Sequence, residues 1–152
     1  MTAHITSSLN THNNWTLHGR AASPRSSSSV DVASLFERWN AALQTRDAGA
    51  VADLYSHDAV LLPTVADEAH VGRVAIRKYF EKFLKSQPRG VVNERFSQSE
   101  GDMAVDMGTY TFTLVDGKEV AARYTFVFHR SGGQWLITHH HSSVMPEQFC
   151  QI

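Results

Sequence analysis

With 152 residues, the chain is long enough for one domain with a hydrophobic core, and no apolar run approaches the roughly 20 residues of a membrane span. Its 14 Lys and Arg residues nearly balance its 15 Asp and Glu residues, so nucleic acid and anionic membranes are poor candidates for partners. The single cysteine, Cys150, excludes an intrachain disulfide, which fits a reducing compartment such as the cytoplasm.

Residues 1–29 differ in composition from the rest of the chain. They are rich in Ser, Thr, Asn and His and end in four consecutive serines. This composition predicts a disordered tail or sequence upstream of the domain, and it lacks the apolar segment of a secretory signal. We therefore assign a single folded domain to residues 30–147 and a C-terminal tail to residues 148–152.

The first half of the folded region has the apolar spacing of helices. From Val32 to Leu43, apolar residues recur three and four positions apart, and Asp31 or Ser29 precedes them as a capping residue. A short apolar run before Pro63 predicts a buried strand. The predicted helices are 32–43, 48–55 and 74–85, the predicted strand is 59–62, and His57 and Asp58 are assigned to a turn.

The second half alternates between apolar and polar residues, which is typical of strands. Short turns at Asp116-Gly117 and Ser131-Gly132-Gly133 separate these strands. Helices followed by an antiparallel meander indicate the α+β class, and we predict a cone-shaped curved antiparallel sheet wrapped around three N-terminal helices, with a pocket between them. The predicted strands are 91–97, 104–114, 120–130 and 135–143.

The last predicted strand carries three consecutive histidines followed by two serines. Successive side chains of a strand point to opposite faces. His140 and Ser142 therefore share one face with Leu136, whereas His139 and His141 lie on the other face. The three imidazoles cannot converge on one point, and we expect the face of His140 and Ser142 to line the pocket.

A metal site is an alternative on the opposite face. His139 and His141 have a spacing that zinc sites use on strands, and His129 on the neighbouring strand shares their face. Those three could bind zinc or manganese. Because structural hydrogen bonding is the more ordinary role of such histidines, we expect no metal and no other cofactor.

The chain resembles the nuclear-transport-factor-two-like superfamily in the order of its elements. It shares the frame Trp-x-x-x-His-x-His-x-Ser at residues 135–143 and the preceding Phe128-His129-Arg130. Within it, residues 30–147 are similar to the association (hub) domain of calcium/calmodulin-dependent protein kinase II. Ser142 and Phe126 stand where that domain has pocket arginines. The resemblance therefore does not imply a pocket that clamps carboxylates.

A narrower resemblance links the run His139–Ser143, followed by Met145-Pro146-Glu147, to the iota class of carbonic anhydrases. Leu61-Leu62-Pro63-Thr64 and Tyr79-Phe80 match the same class in the expected order. The resemblance implies reversible hydration of carbon dioxide to bicarbonate, without a metal. It places the catalytic residues at Thr64, Tyr79, His140 and Ser142.

Hydration needs a water aimed at carbon, a base for its proton, and donors for the oxygens that become anionic. A neutral histidine, with a free pKa of about 6.5, can be that base, and hydroxyls in a dry cavity can be those donors. We hypothesise that His140 accepts the proton and that Thr64, Tyr79 and Ser142 orient water and bicarbonate. The predicted substrate-binding wall is Trp39, Leu62, Phe126 and Phe128, with Tyr124 as an alternative to Tyr79 for the hydroxyl.

Two other classes of function fit this fold, because a fold does not fix a function. A non-enzymatic association module would form a homodimer or a higher homo-oligomer through the outer sheet face. An isomerase or a cyclase would need a carboxylate in the pocket, and Asp106 is the only carboxylate that the alternation places inward. The outer face carries Thr109, Thr111, Arg123 and Thr125.

Overall fold

A computed structural model describes residues 30–146, which form an α+β fold with helices packed on one face of a curved, open six-stranded sheet. The strand order is β2-β1-β6-β5-β4-β3. The predicted tails at 1–29 and 148–152 lie outside the described residues. The helices are α1 (Val32–Gln44), α2 (Ala48–Ala52) and α3 (Arg73–Phe83, followed by a 3-10 turn at Leu84–Ser86), and the strands are β1 (Tyr55–Leu62), β2 (His70–Val71), β3 (Arg89–Glu100), β4 (Met103–Thr113), β5 (Glu119–Ser131) and β6 (Gln134–Val144).

The predicted first helix, the third helix and the four C-terminal strands are confirmed to within a few residues. The Asp31 carboxylate caps α1 by accepting a hydrogen bond from the Ala33 amide at 3.1 Å. The buried side chains of α1 form one stripe that packs on the inner sheet face, where Trp39 meets Phe126 with ring centroids 5.1 Å apart. Among helices in residues 30–146, none has the length and apolar character needed to cross a membrane.

The region between α2 and α3 differs from the prediction. Helix α2 ends at Ala52, and the predicted turn at His57 and Asp58 is wrong because both residues lie inside β1. Strand β1 begins early because it pairs with β6, from Tyr55 opposite Ile137 to Leu62 opposite His141. This one pairing is parallel, so the sheet is not antiparallel throughout. Such a pairing between distant segments has no local sequence signal.

A β-bulge in β6 changes which side chains face the helices. Val127 pairs with His139 and Phe128 pairs with Ile137, so Thr138 is an extra residue in β6. Ile137 is therefore buried, whereas the prediction placed Leu136 on the inner face. Beyond the bulge the alternation holds, and the inner face carries His140 and Ser142.

The core is aromatic and contains few polar groups. Most inward positions that the alternation predicts on β4 and β5 are buried, whereas Gly108 and Leu114 are half-buried. The buried ones are Tyr110, Phe112, Ala122, Tyr124, Phe126 and Phe128. Apart from the tyrosine hydroxyls and the Trp39 indole N–H, only three polar side chains among the described residues are more than nine-tenths buried. Because burying a polar group is costly unless it is hydrogen-bonded, these three mark the places where the core serves more than packing. They are Asp106, His140 and Ser142.

Strand β3 bulges between Val92 and Glu94, and its partner strand carries Gly108 at this point. A Cβ atom at Gly108 would lie 1.9 Å from the Glu94 carbonyl oxygen. The backbones of β3 and β4 approach this closely only because Gly108 has no side chain.

Replacing Gly108 with Ala should therefore lower the free energy of unfolding by about 3 kcal/mol, since β3 must move away from β4. Urea denaturation measures this loss. Gly117→Ala is the control, because its Cβ would meet nothing within 4 Å. That change should cost only about 1 kcal/mol through its left-handed backbone. Equal losses in the two variants would contradict the close approach.

Candidate functional site

A cavity of about 790 Å³ opens between the loop after β1, helix α3 and the ends of β4 and β5. Its volume lies within the range of small-molecule sites, about 300–1,000 Å³. One wall is apolar, and Thr64, His70 and Tyr79 contribute polar groups. The apolar wall includes Val65, Phe83, Phe112, Leu114 and Val120.

Behind Thr64 lies a chain of hydroxyl groups. The Thr64 and Ser142 hydroxyls are hydrogen-bonded, and the Tyr110 hydroxyl donates to Ser142 Oγ at 2.6 Å. The geometry of the Thr64–Ser142 pair fits either hydroxyl as donor. Because Ser142 is 5% exposed and already accepts from Tyr110, we assign the Ser142 hydrogen to Thr64 Oγ1, and this assignment leaves the Thr64 hydrogen for another acceptor. Thr64 can donate it to a ligand in the cavity.

Three strands hold this hydroxyl chain in place. Thr64 follows the end of β1, and the parallel pairing of Leu62 with His141 brings it beside Ser142 on β6. Tyr110 reaches Ser142 from β4 under the intervening strand, where Tyr124 pairs with Ser142. This series of hydrogen-bonded hydroxyls therefore depends on pairing between strands that are distant in the sequence.

The Tyr79 hydroxyl is a second donor on the cavity wall. Tyr79 is half-buried on α3, and its ring stacks on Phe83 with centroids 5.6 Å apart. Burial raises the pKa of Tyr79 above its usual 10.0. Burial likewise raises the pKa of Tyr110, and the nearby Tyr79 phenol raises it further. Both phenols therefore keep their hydrogens at neutral pH.

His140 lies in the core, away from the cavity lining. Its ring stacks on Phe126 with centroids 3.9 Å apart, and it meets Trp39 edge-on at 5.3 Å. The Trp39 indole N–H donates to the Tyr55 hydroxyl at 3.0 Å, and that hydroxyl lies 2.9 Å from His140 Nδ1. We assign the Tyr55 hydrogen to Nδ1, because no other acceptor for this hydrogen is present in residues 30–146. This assignment puts the ring hydrogen on Nε2, which is buried without a partner among the described residues.

Burial, with a smaller contribution from the neighbouring His141, lowers the pKa of His140 to about 3. At neutral pH the imidazole is uncharged, and its Nδ1 lone pair is already used by Tyr55. This environment gives no support to His140 as proton acceptor, and that role stays a prediction from the sequence. The group instead ties α1 to β1 and β6 through Trp39 and Tyr55.

The predicted substrate-binding wall also lies elsewhere. Trp39 and Phe126 enclose His140, and Tyr124 donates to Asp106 Oδ1 at 3.3 Å, so none of the three lines the cavity. Leu62 is 41% exposed, because it alternates with the buried Leu61. The structure thus places Thr64 and Tyr79 on the cavity and Ser142 behind Thr64. The predicted site residues that do not line the cavity are Trp39, Leu62, Tyr124, Phe126, Phe128 and His140.

The carboxylate proposed for an isomerase or a cyclase does not face the cavity either. Asp106 Oδ1 accepts hydrogen bonds from Arg95 at 3.2 Å and from Tyr124 at 3.3 Å. Burial raises the pKa of Asp106, whereas Arg95 lowers it. Asp106 does not line the cavity, so the Arg95–Asp106 ion pair belongs to the core. The Arg95 guanidinium carbon lies over the Phe36 ring, 5.4 Å from its centroid.

The predicted histidine cluster on the outer face is exposed. His129, His139 and His141 are all accessible on β5 and β6. In residues 30–146, no group of three or more His, Cys, Asp or Glu side chains is arranged to hold a metal ion.

Sequence reasoning missed three residues of this region. Tyr110 was assigned to the core, and nothing in its spacing showed that its hydroxyl reaches Ser142. Tyr55 was placed at the end of a helix. His70 was placed in a polar loop, because a two-residue strand is too short to give a pattern.

Comparisons with known proteins fit this fold. Residues 28–146 match the model of the family "Calcium/calmodulin dependent protein kinase II association domain". A crystal structure from Xanthomonas campestris, provisionally named as such an association domain, is 54% identical, with a TM-score of 0.73 over 76% of this chain and 86% of that one. No match is found among curated proteins.

More distant structures share the fold. A protein of Novosphingobium aromaticivorans, provisionally named an aromatic ring hydroxylase, is 26% identical, with a TM-score of 0.63 over 76% of this chain and 87% of that one. An NTF2-like protein with a cystatin-like fold from the same organism is 16% identical, with a TM-score of 0.64 over 78% and 86% of the two chains. These two similarities concern architecture.

The buried neutral His140 should make stability depend on pH. Below the ordinary histidine pKa of 6.5 the unfolded chain binds a proton at this residue, and the folded chain does not until about pH 3. Stability therefore falls as the pH drops through this window, by about 2 kcal/mol between pH 6.5 and 5.

Urea denaturation at several pH values measures this slope. His140→Gln should remove the 2 kcal/mol contribution. His141→Gln, which changes the exposed neighbour, should keep it. A slope that is the same in His140→Gln and in the unmodified protein would contradict the buried neutral imidazole.

Proposed function

The chain belongs to the calcium/calmodulin dependent protein kinase II association domain family, and within that family we propose that it is a carbonic anhydrase, which hydrates carbon dioxide reversibly to bicarbonate. The observation that carries this proposal is the pair of hydroxyl donors, Thr64 and Tyr79, on one cavity wall. Its second support is the resemblance of His139–Ser143 and its companion motifs to iota-class enzymes.

Hydration places negative charge on an oxygen of the substrate. The water oxygen bonds to the carbon, and one C=O electron pair moves onto that oxygen while the water loses a proton. Fixed donors aimed at this oxygen lower the barrier, and each is worth about 10²–10³ in rate. Thr64 supplies such a donor because Ser142 occupies its lone pair. Tyr79 supplies the other because its raised pKa keeps the phenol protonated.

The rest of the cavity suits both substrate and product. Carbon dioxide is apolar and fits the wall formed by Phe83, Phe112 and Leu114. Bicarbonate is an anion, and Lys78 and Lys82 on α3 line the same cavity. These two ammonium groups are possible partners for the anion, and Asp67 and Glu68 balance their charge in the cavity as a whole. This reaction uses only side chains of the chain, and we propose that it needs no metal.

Stopped-flow carbon dioxide hydration tests this function. The purified protein without a histidine tag should accelerate hydration, and the rate should persist after dialysis against a chelator. Ser142→Ala and Thr64→Val should each lower kcat/KM by about 100-fold, because the cavity loses an oriented donor.

Ser143→Ala is the matched control, since it removes a serine hydroxyl from the next residue, which is not hydrogen-bonded to Thr64, Ser142 or Tyr110. It should retain full activity. A protein no faster than buffer, or equal activity in the Ser142 and Ser143 variants, would contradict the proposal.

A second proposal, compatible with the first, is that the chain assembles with copies of itself. Phe96 is 58% exposed and Val91 is 56% exposed on the edge strand β3, with Met103 at 51% across the turn. Exposed apolar groups on a sheet edge favour association. They extend the predicted interface of Thr109, Thr111, Arg123 and Thr125.

Light scattering should therefore give a mass of two or more chains. Phe96→Asp should shift the mass toward one chain, because it puts a charge into the contact. Ser97→Asp adds the same charge to the other side of the strand and should leave the mass unchanged. A one-chain mass for the unmodified protein would contradict self-association.

A further inference from the structure

The proposed hydration releases a proton that none of the residues placed so far can accept. The Thr64 and Tyr79 hydroxyls act as donors, and His140 does not line the cavity and is a weak base, because burial lowers its pKa to about 3. Two carboxylates, Asp67 and Glu68, line the cavity from the loop after β1, where both are exposed. Free carboxylates have pKa values near 4, so they are weak bases at pH 7.

His70 lies on the same wall as the two donors. Strand β2 pairs antiparallel with β1, and His70 lies opposite Leu61, which on its other side lies opposite His140. This register places the half-buried His70 at the sheet edge next to α3, with its ring centroid 5.1 Å from that of Tyr79. The Gly72 amide donates to the Ala59 carbonyl at 2.8 Å and fixes the end of β2.

The two ring nitrogens of His70 have different surroundings. Nε2 is enclosed and has no hydrogen-bond partner among the described residues. Nδ1 is not enclosed in this way, and no side chain or backbone group in residues 30–146 bonds to it. With the ring hydrogen on Nε2, the Nδ1 lone pair is available to water.

We infer that His70, through Nδ1, is the proton acceptor in the hydration of carbon dioxide, an inference that rests on the proposed carbonic anhydrase function. The water oxygen forms its bond to carbon, a C=O electron pair moves to the oxygen held by Thr64 and Tyr79, and the water proton moves to Nδ1. The imidazolium then passes this proton to buffer in the open cavity, which restores the neutral ring. Atoms and charge balance: water and carbon dioxide become bicarbonate and one released proton.

The charges around His70 permit this cycle. Lys78 and Lys82 from α3 disfavour the imidazolium, and Asp67 and Glu68 from the loop favour it. Leu61 and Tyr79 beside the ring are uncharged. The four charges sum to zero.

The test is the pH profile of hydration in His70→Gln, which retains hydrogen-bonding groups but cannot take up a proton at neutral pH. We expect kcat to fall about 10²–10³-fold with little change in KM. The part of the pH dependence of kcat that comes from protonation of His70 should disappear. Added imidazole should restore the rate in proportion to its concentration, since it replaces the missing base. His129→Gln, an exposed histidine on β5, is the control and should be unaffected.

Two results would overturn the assignment of His70 without affecting the proposed function. In the first, the unmodified protein is active and His70→Gln has the same hydration rate. In the second, His70→Gln is slower, but imidazole does not restore its rate and its pH profile is unchanged. Failure of the proposed function looks different, because then the unmodified protein and the Ser143→Ala control are also inactive. That outcome overturns both.

Discussion

The structure depends on the hydrogen bonding of one buried hydroxyl. Ser142 is 5% exposed, and leaving such a group unpaired costs about 1–3 kcal/mol. Its two partners come from distant parts of the chain, Thr64 after β1 and Tyr110 on β4. Satisfying Ser142 therefore joins the sheet on both sides of β6 and also fixes the direction of the Thr64 hydroxyl. The same contact stabilises the fold and orients a donor toward the cavity.

Two residues away, His140 has a different role on the same strand face. It is held by Tyr55 and stacked on Phe126, and burial keeps it uncharged. A motif of adjacent histidines and serines thus contains one residue that supports the core and one that supports the site. The proposed chemistry lies at the sheet edge, where Thr64, Tyr79 and His70 surround open volume, rather than at the centre of the motif.

The sequence predicts much of this fold because most of its signals are local. The helical stripe of α1 and the alternation in β4 and β5 report burial directly, and the strand count after Thr138 correctly places Ser142 inward. Three features have no local signal. The bulge at Thr138 reverses the alternation in the residues before it. The parallel pairing of β1 with β6 joins segments some 80 residues apart. Strand β2 has only two residues, so the sequence around His70 has the pattern of a polar loop. The expectation of His140 as base has the same limit, since alternation shows that a side chain is buried and not what it contacts.

The proposed catalysis requires the Thr64 hydroxyl, directed by Ser142, to donate together with Tyr79 to an oxygen of the substrate. A crystal structure of the protein soaked in bicarbonate is the sharpest test of this requirement. We expect bicarbonate in the cavity with oxygen atoms about 2.5–3.2 Å from Thr64 Oγ1 and from the Tyr79 hydroxyl. Bicarbonate bound elsewhere, or a Thr64 side chain turned away from both Ser142 and the ligand, would contradict it.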